Sequence, residues 1–147
     1  MRVLIIEDDQ AVGEVLRDLC VELGHVAEAA RSAEDVLVQL QEDRPDLILL
    51  DFRLPGMSGL DFLRLPLVRD TGVPIVVVSG IATESQAEAC LQLGAVEFVE
   101  KPVPFEQLQL LLEWFELLEC VSRSPFESTK PTAANGRRRA PISVSKP

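Results

Sequence analysis

The sequence predicts an α/β fold: a doubly wound, five-stranded parallel sheet with helices on both faces. Three observations carry that prediction. Five short apolar runs alternate with helix-patterned segments between residues 3 and 121. Three of those runs, VLII (3–6), LILL (47–50) and PIVVV (74–78), are continuously apolar, as strands covered on both faces must be. Polar residues follow the runs directly, at the strand ends where open α/β sheets place their sites.

The elements follow in chain order. After the first strand, Asp9 is placed to cap a helix whose Val12, Val15, Leu16, Leu19 and Leu23 share one face, with Gly24 as its stop. VAEAA (26–30) is a weak second strand. Ser32 is the expected N-cap of a second helix carrying Ala33, Val36, Leu37 and Leu40. The third strand, 47–50, leads to a helix over 59–67, and the fourth, 74–78, to a helix over 84–93. VEFVE (96–100) alternates, which suits an edge strand. The last helix, 105–121, has a core stripe of Phe105, Leu108, Leu111, Leu112, Phe115 and Leu118. A second stripe, Leu110, Trp114, Leu117 and Val121, is a candidate surface for a partner or a second copy of the chain.

Charge and composition divide the 147 residues. Residues 1–121 hold 23 acidic and 8 basic residues, a charge of −15, and read as one domain. Residues 122–147 hold 1 acid and 6 bases, a charge of +5, and read as a disordered tail or linker remnant. So acidic a body makes nucleic acid an unlikely partner, and the GRRRA of the tail is at most a weak electrostatic contact. No apolar run approaches the roughly 20 residues that cross a bilayer, and the start does not read as a signal peptide. Cys20, Cys90 and Cys120 are scattered, without metal-ligand or disulfide-frame spacing, so a reducing cytoplasm is expected. His25 follows Gly24 and is expected in a loop.

The strand ends concentrate the chemistry. Glu7, Asp8 and Asp9 follow the first strand, Asp51 the third, Ser79 the fourth and Lys101 the fifth. Carboxylates gathered there repel, by about 4 kcal/mol for a pair at 4 Å and an effective dielectric near 20. A hard divalent cation such as Mg2+ relieves that repulsion and binds phosphoryl oxygens. Lys101 offers an ammonium to one phosphoryl oxygen and Ser79 a hydroxyl to another. A carboxylate fixed beside the cation can then attack phosphorus and form an acyl phosphate.

Four segments in order resemble the bacterial response-regulator receiver domains: LIIEDD, DFRLPGMSG, VVVSG and GAVEFVEKP, spanning residues 2 to about 121. The resemblance implies a flavodoxin-like strand order 2-1-3-4-5 and a cytoplasmic, phosphorylation-dependent switch rather than an enzyme with turnover. It implies Asp51 as phosphoryl acceptor, with Lys101 and Ser79 against the phosphoryl group. It implies Mg2+ held by Asp8 and Asp51 directly, by Glu7 through water and by the Arg53 backbone carbonyl. Ser79 and Phe98 occupy the positions of the hydroxyl and aromatic that switch together, and Lys101–Pro102 is a candidate cis peptide. The implied phosphoryl donor is a sensor histidine kinase or a histidine phosphotransfer protein. The implied output is contact with a protein target, or homodimerisation, through the fourth helix, fifth strand and fifth helix.

Ser-Gly replaces the commoner Thr-Ala after strand 4, and Phe98 the frequent tyrosine, so this switch would work by packing alone. Arg53 and Ile81, two residues beyond Asp51 and Ser79, are expected to slow loss of the phosphoryl group. Three other readings bear comparison. A phosphatase of the haloacid-dehalogenase type needs Asp-x-Asp, whereas Asp51 is followed by Phe52 and Arg53. A pseudo-receiver would bind partners without phosphorylation, and a fragment of a longer DNA-binding regulator would use the tail as a linker.

Overall fold

The computed structural model of the protein describes residues 1–80 and 83–122. The strands β1 (Arg2–Ile6), β2 (Val26–Ala30), β3 (Leu47–Asp51), β4 (Ile75–Ser79) and β5 (Glu97–Glu100) form one parallel sheet. Their order is β2-β1-β3-β4-β5, as the resemblance implied. The helices among the described residues are α1 (Gln10–Glu22), α2 (Glu34–Glu42), α3 (Gly59–Arg64), α4 (Pro66–Thr71), α5 (Glu84–Gln92) and α6 (Phe105–Ser122). The chain divides into two compact units. The first, Met1–Leu110, holds the whole sheet, and the second begins at Leu111 with the remainder of α6. No helix among the described residues is long and apolar enough to cross a membrane. The tail from 123 onward lies outside the described residues.

Continuous apolarity in β1, β3 and β4 follows from burial on both faces. On one face Leu4, Ile6, Ile48, Leu50, Ile75 and Val77 pack with Val36 and Leu40 of α2, Phe62 and Leu63 of α3, Val68 of α4 and Cys90 of α5. The alternate residues Val3, Ile5, Leu49, Val76 and Val78 are buried as well. Each fully buried aliphatic side chain contributes about 1.5–3 kcal/mol over leaving it in water. β2 and β5 are the edges, and the weak pattern of β2 has that cause: Val26, Glu28 and Ala29 are exposed.

Local chemistry sets the helix starts. Asp9 caps α1 by accepting from the Ala11 and Val12 N–H groups, as expected. Ser32 accepts the Asp35 N–H at 3.2 Å, so it caps as predicted although α2 begins at Glu34. Ser58 with Asp61, and Thr83 with Gln86, form reciprocal capping boxes on α3 and α5.

Several expectations need correction. The predicted helix 59–67 is two short helices, because Pro66 holds Leu65 extended (φ −68°, ψ 127°) and starts a new helix at its own position. The buried face of α1 is Gly13, Leu16 and Cys20, whereas Val15 is 57% exposed. Val15 instead lines an open apolar groove of about 450 Å³ with Val12, Leu16 and Leu19, facing Lys101, Pro102 and Val103. Phe105 and Leu118, placed in the core stripe of the last helix, are exposed. His25 lies between α1 and β2 as expected but is buried, with its Nδ1 3.2 Å from the Met1 amine.

The turn after β3 brings backbone against backbone closely at Gly59. Gly59 donates its N–H to the Phe52 carbonyl, and a Cβ there would lie 2.9 Å from the Asp51 oxygen and 3.0 Å from the Phe52 Cα. Those atoms are backbone and cannot swing aside. Gly59→Ala is therefore expected to cost about 1–3 kcal/mol in urea unfolding. Gly13→Ala is the contrasting case: its Cβ would meet nothing closer than 3.6 Å, inside a helix. It should stabilise the protein by roughly 0.5–1 kcal/mol in the same measurement.

Candidate functional site

Strand register builds the site. Ile6 pairs with Leu50, so Glu7, the residue after β1, comes to rest beside Asp51, the last residue of β3. Asp51 pairs in turn with Val78, and Ser79 with Glu100 just before Lys101. Glu7, Asp8, Asp51, Ser79 and Lys101 are thus brought together at the C-terminal ends of neighbouring strands.

Glu7, Asp8 and Asp51 each present a carboxylate oxygen, and these lie within 4.8 Å of one another. Glu7 and Asp51 are buried, at 3% and 6% exposure, while Asp8 faces solvent. Lys101 reaches in from the end of β5 to pair with Glu7 Oε1, and its Nζ lies 3.5 Å from Asp51 Oδ2. Asp51 Oδ1 accepts the Arg53 N–H at 3.2 Å, and Glu7 Oε2 the Asp9 N–H at 3.3 Å. Ser79 is buried, and its carbonyl accepts the Lys101 N–H at 2.8 Å. The Lys101–Pro102 peptide is cis.

One ammonium facing three carboxylates leaves the site with an excess of negative charge. Burial pushes the Glu7 carboxyl up to about 7, with the neighbouring Asp51 adding to the rise and Lys101 opposing it. The donor set fits a hard cation: all three groups are oxygens, two are desolvated, and one opens to water. The groups that would hold Mg2+ are therefore Glu7, Asp8 and Asp51. Arg53 is tied to this cluster through its backbone N–H.

Phe98 is half-buried and meets Phe52 edge-on, with ring centroids 6.4 Å apart and planes at 65°. Leu110, Trp114, Leu117 and Val121 on α6 are between 57 and 68% exposed. Ile81 lies outside the described residues. Sequence reasoning missed two contacts. Phe52 continues the period-2 pattern of Leu50 onto the face that carries Phe98, a signal present in the sequence. Glu34, at the start of α2, accepts the Met57 N–H at 3.1 Å and steadies the loop beyond Asp51. Nothing in local sequence announces a bond between residues so far apart.

Residues 3–113 match the model of one family, described as the response regulator receiver domain. The sensory/regulatory protein RpfC of Xanthomonas campestris pv. campestris is 37% identical over 107 residues, covering 70% of this chain and 15% of that protein. The two-component response regulator PhoP of Pseudomonas aeruginosa is 34% identical over 112 residues, covering 76% of this chain and 50% of that protein. The chain therefore spans half or less of the length of these curated relatives. Among solved structures, a CheY-like response regulator receiver domain protein from Methanospirillum hungatei JF-1 superposes with a TM-score of 0.72 at 27% identity. That match covers 80% of this chain and 95% of the other.

The buried Glu7 makes a pH prediction for the protein kept free of divalent cations. A carboxyl whose value rises on folding holds its proton more tightly in the folded state. Its contribution is fully present below about 4.5 and is lost as pH rises through about 7. Across that window wild type should lose up to about 3 kcal/mol of stability relative to Glu7→Gln. Urea unfolding of both proteins in EDTA at several pH values measures the difference; a pH-independent difference would refute the assignment.

Proposed function

The chain belongs to the response regulator receiver domain family, and from that premise we infer that it is a phosphorylation-controlled signalling switch with Asp51 as its phosphoryl acceptor. The observation that carries the reading is the convergence of Asp51, Glu7, Asp8, Lys101 and Ser79 at the C-terminal ends of neighbouring strands.

In this reading a carboxylate oxygen of Asp51 attacks the phosphorus of a phosphohistidine on a histidine kinase or phosphotransfer protein. The P–N bond breaks, the imidazole leaves with the electron pair, and Asp51 carries an acyl phosphate. The Asp8 and Asp51 carboxylates and the Arg53 carbonyl, with Glu7 through water, would hold Mg2+, which when bound would supply charge neutralisation at the phosphoryl oxygens. Asp51 meets the donor already oriented, because β3 is buried along its whole length and the Arg53 N–H fixes one carboxylate oxygen. Lys101 exchanges part of its pairing with Glu7 and Asp51 for a phosphoryl oxygen, and Ser79 donates its hydroxyl to another. With Arg53 two residues after Asp51, the chain lacks the second aspartate of the Asp-x-Asp that a phosphatase of the haloacid-dehalogenase type uses as its acid/base.

The response leaves the site through Ser79 and Phe98, and is read by proteins that contact α5, β5 and α6. Leu110, Trp114, Leu117 and Val121, exposed along α6, are apolar groups open to a partner or a second copy of the chain. Residues 1–121 act as the receiver, with 122–147 as a basic tail, in the cytoplasm.

Incubation with Mg2+ and acetyl phosphate should add one phosphoryl group by intact-protein mass. The adduct should be hydroxylamine-labile and absent from Asp51→Ala. Lys101→Ala should slow its formation by on the order of 100-fold while leaving the protein folded. An adduct of equal yield on Asp51→Ala would overturn the assignment.

A further inference from the structure

Phe52 follows the proposed acceptor directly and has no part in its chemistry, yet it touches the residue proposed to carry the signal outward. The Phe52 N–H donates to the Val78 carbonyl at 3.1 Å, which continues the β3–β4 register one step and sets Phe52 beside Ser79. Side chains alternate along a strand and its extended continuation, so Leu50 on β3, Phe52 just beyond it, Val77 and Ser79 on β4, and Phe98 on β5 all share one face. β4 lies between the other two strands. The edge-on contact between Phe52 and Phe98 therefore spans β4 at Val77 and Ser79.

The two rings are held very differently. Phe52 is 8% exposed and clamped through its backbone: its N–H is bonded to Val78, its carbonyl accepts from Gly59, and the absent Gly59 Cβ lets that turn press against its Cα. Phe98 is half-buried on an edge strand and has no hydroxyl to bond in either orientation. A buried ring with a clamped backbone thus stands on the inner side of a half-buried ring on an edge strand. We propose that Phe52 is a positioning residue, the stop against which Phe98 rests, and that it sets how much of the inward state exists without phosphorylation. The proposal rests on the reading of Asp51 and Phe98 given above and adds a residue to it.

Removing the stop should let Phe98 turn inward unprompted. The measurement is the position of the Glu97–Glu100 amide resonances in 15N-labelled protein, with and without the acetyl phosphate adduct, beside the adduct mass of each sample. In wild type the adduct moves these resonances. In unmodified Phe52→Ala they should lie at least a third of the way along that same line, and in Phe52→Leu a smaller fraction, with adduct yield unchanged. Phe62→Leu, a buried phenylalanine of the same core, controls for loosened packing and should leave them in place. Resonances of unmodified Phe52→Leu and Phe52→Ala that stay at wild-type positions would overturn the proposal. Displacement away from the wild-type line, or an equal displacement in Phe62→Leu, would overturn it too, as the mark of a merely structural role. Should Phe52→Ala fail to fold, Phe52→Leu decides alone. Wild type that takes no adduct overturns the parent reading and this one with it. An adduct that leaves the wild-type β5 resonances unmoved overturns this proposal while sparing Asp51 as acceptor.

Discussion

The pairing of Lys101 with Glu7 and Asp51 is the interaction on which the rest of the site depends. Two carboxylates are carried into the protein at 3% and 6% exposure, a third stands at their edge, and one ammonium reaches them. Desolvation disfavours every ionised carboxylate in such a place, and mutual repulsion adds about 4 kcal/mol for a close pair at an effective dielectric near 20. Lys101 offsets part of this and no more, which is why the Glu7 carboxyl remains raised. The arrangement is strained toward accepting positive charge. A fold selected for stability alone would place apolar groups there.

What keeps these groups together is the sheet. Carboxylates free to move would separate, but Glu7 is fixed by the pairing of Ile6 with Leu50 and Asp51 by burial of all five residues of β3. The chain after Asp51 must then leave without covering it. At Gly59 the missing Cβ lets the returning chain press closely on the Asp51 and Phe52 backbone. Glu34 holds the far side of the same loop through the Met57 N–H. The geometry of the proposed site is a by-product of hydrophobic burial one layer below.

Most of this could be read from the sequence because period and position carry it. Continuous apolar runs announced β1, β3 and β4, and the rule that sites form at strand ends picked out Glu7, Asp8, Asp51, Ser79 and Lys101. Misreadings arose where helical periodicity is ambiguous. Val15 has the spacing of a core residue, but the helix turns it toward a groove rather than the sheet. The helix over 59–67 ignored Pro66, whose ring disfavours helical conformation in the residue before it. His25 was placed correctly along the chain yet is buried, because the N-terminal amine comes to meet it from a distant position in the sequence. Long-range contacts such as Glu34 with Met57 have no local signature at all.

The pair Phe52–Phe98 shows how chemistry and packing can be joined in one short segment. In DFRLPGMSG the first residue is a carboxylic acid and the second a buried ring, and alternation sends them to opposite faces of the same sheet. Any displacement of the Asp51 backbone is therefore a displacement of Phe52, through a single peptide bond. A tyrosine at position 98 could trade a hydrogen bond between its two orientations, whereas a phenylalanine has only contact and exclusion to choose between them. With the hydroxyl gone, the shape of the surface it rests on must carry the energy difference. That surface is Phe52, and its backbone is held by the same tight turn that follows Asp51. One glycine would thus serve both the proposed chemistry on one face and the proposed mechanical response on the other.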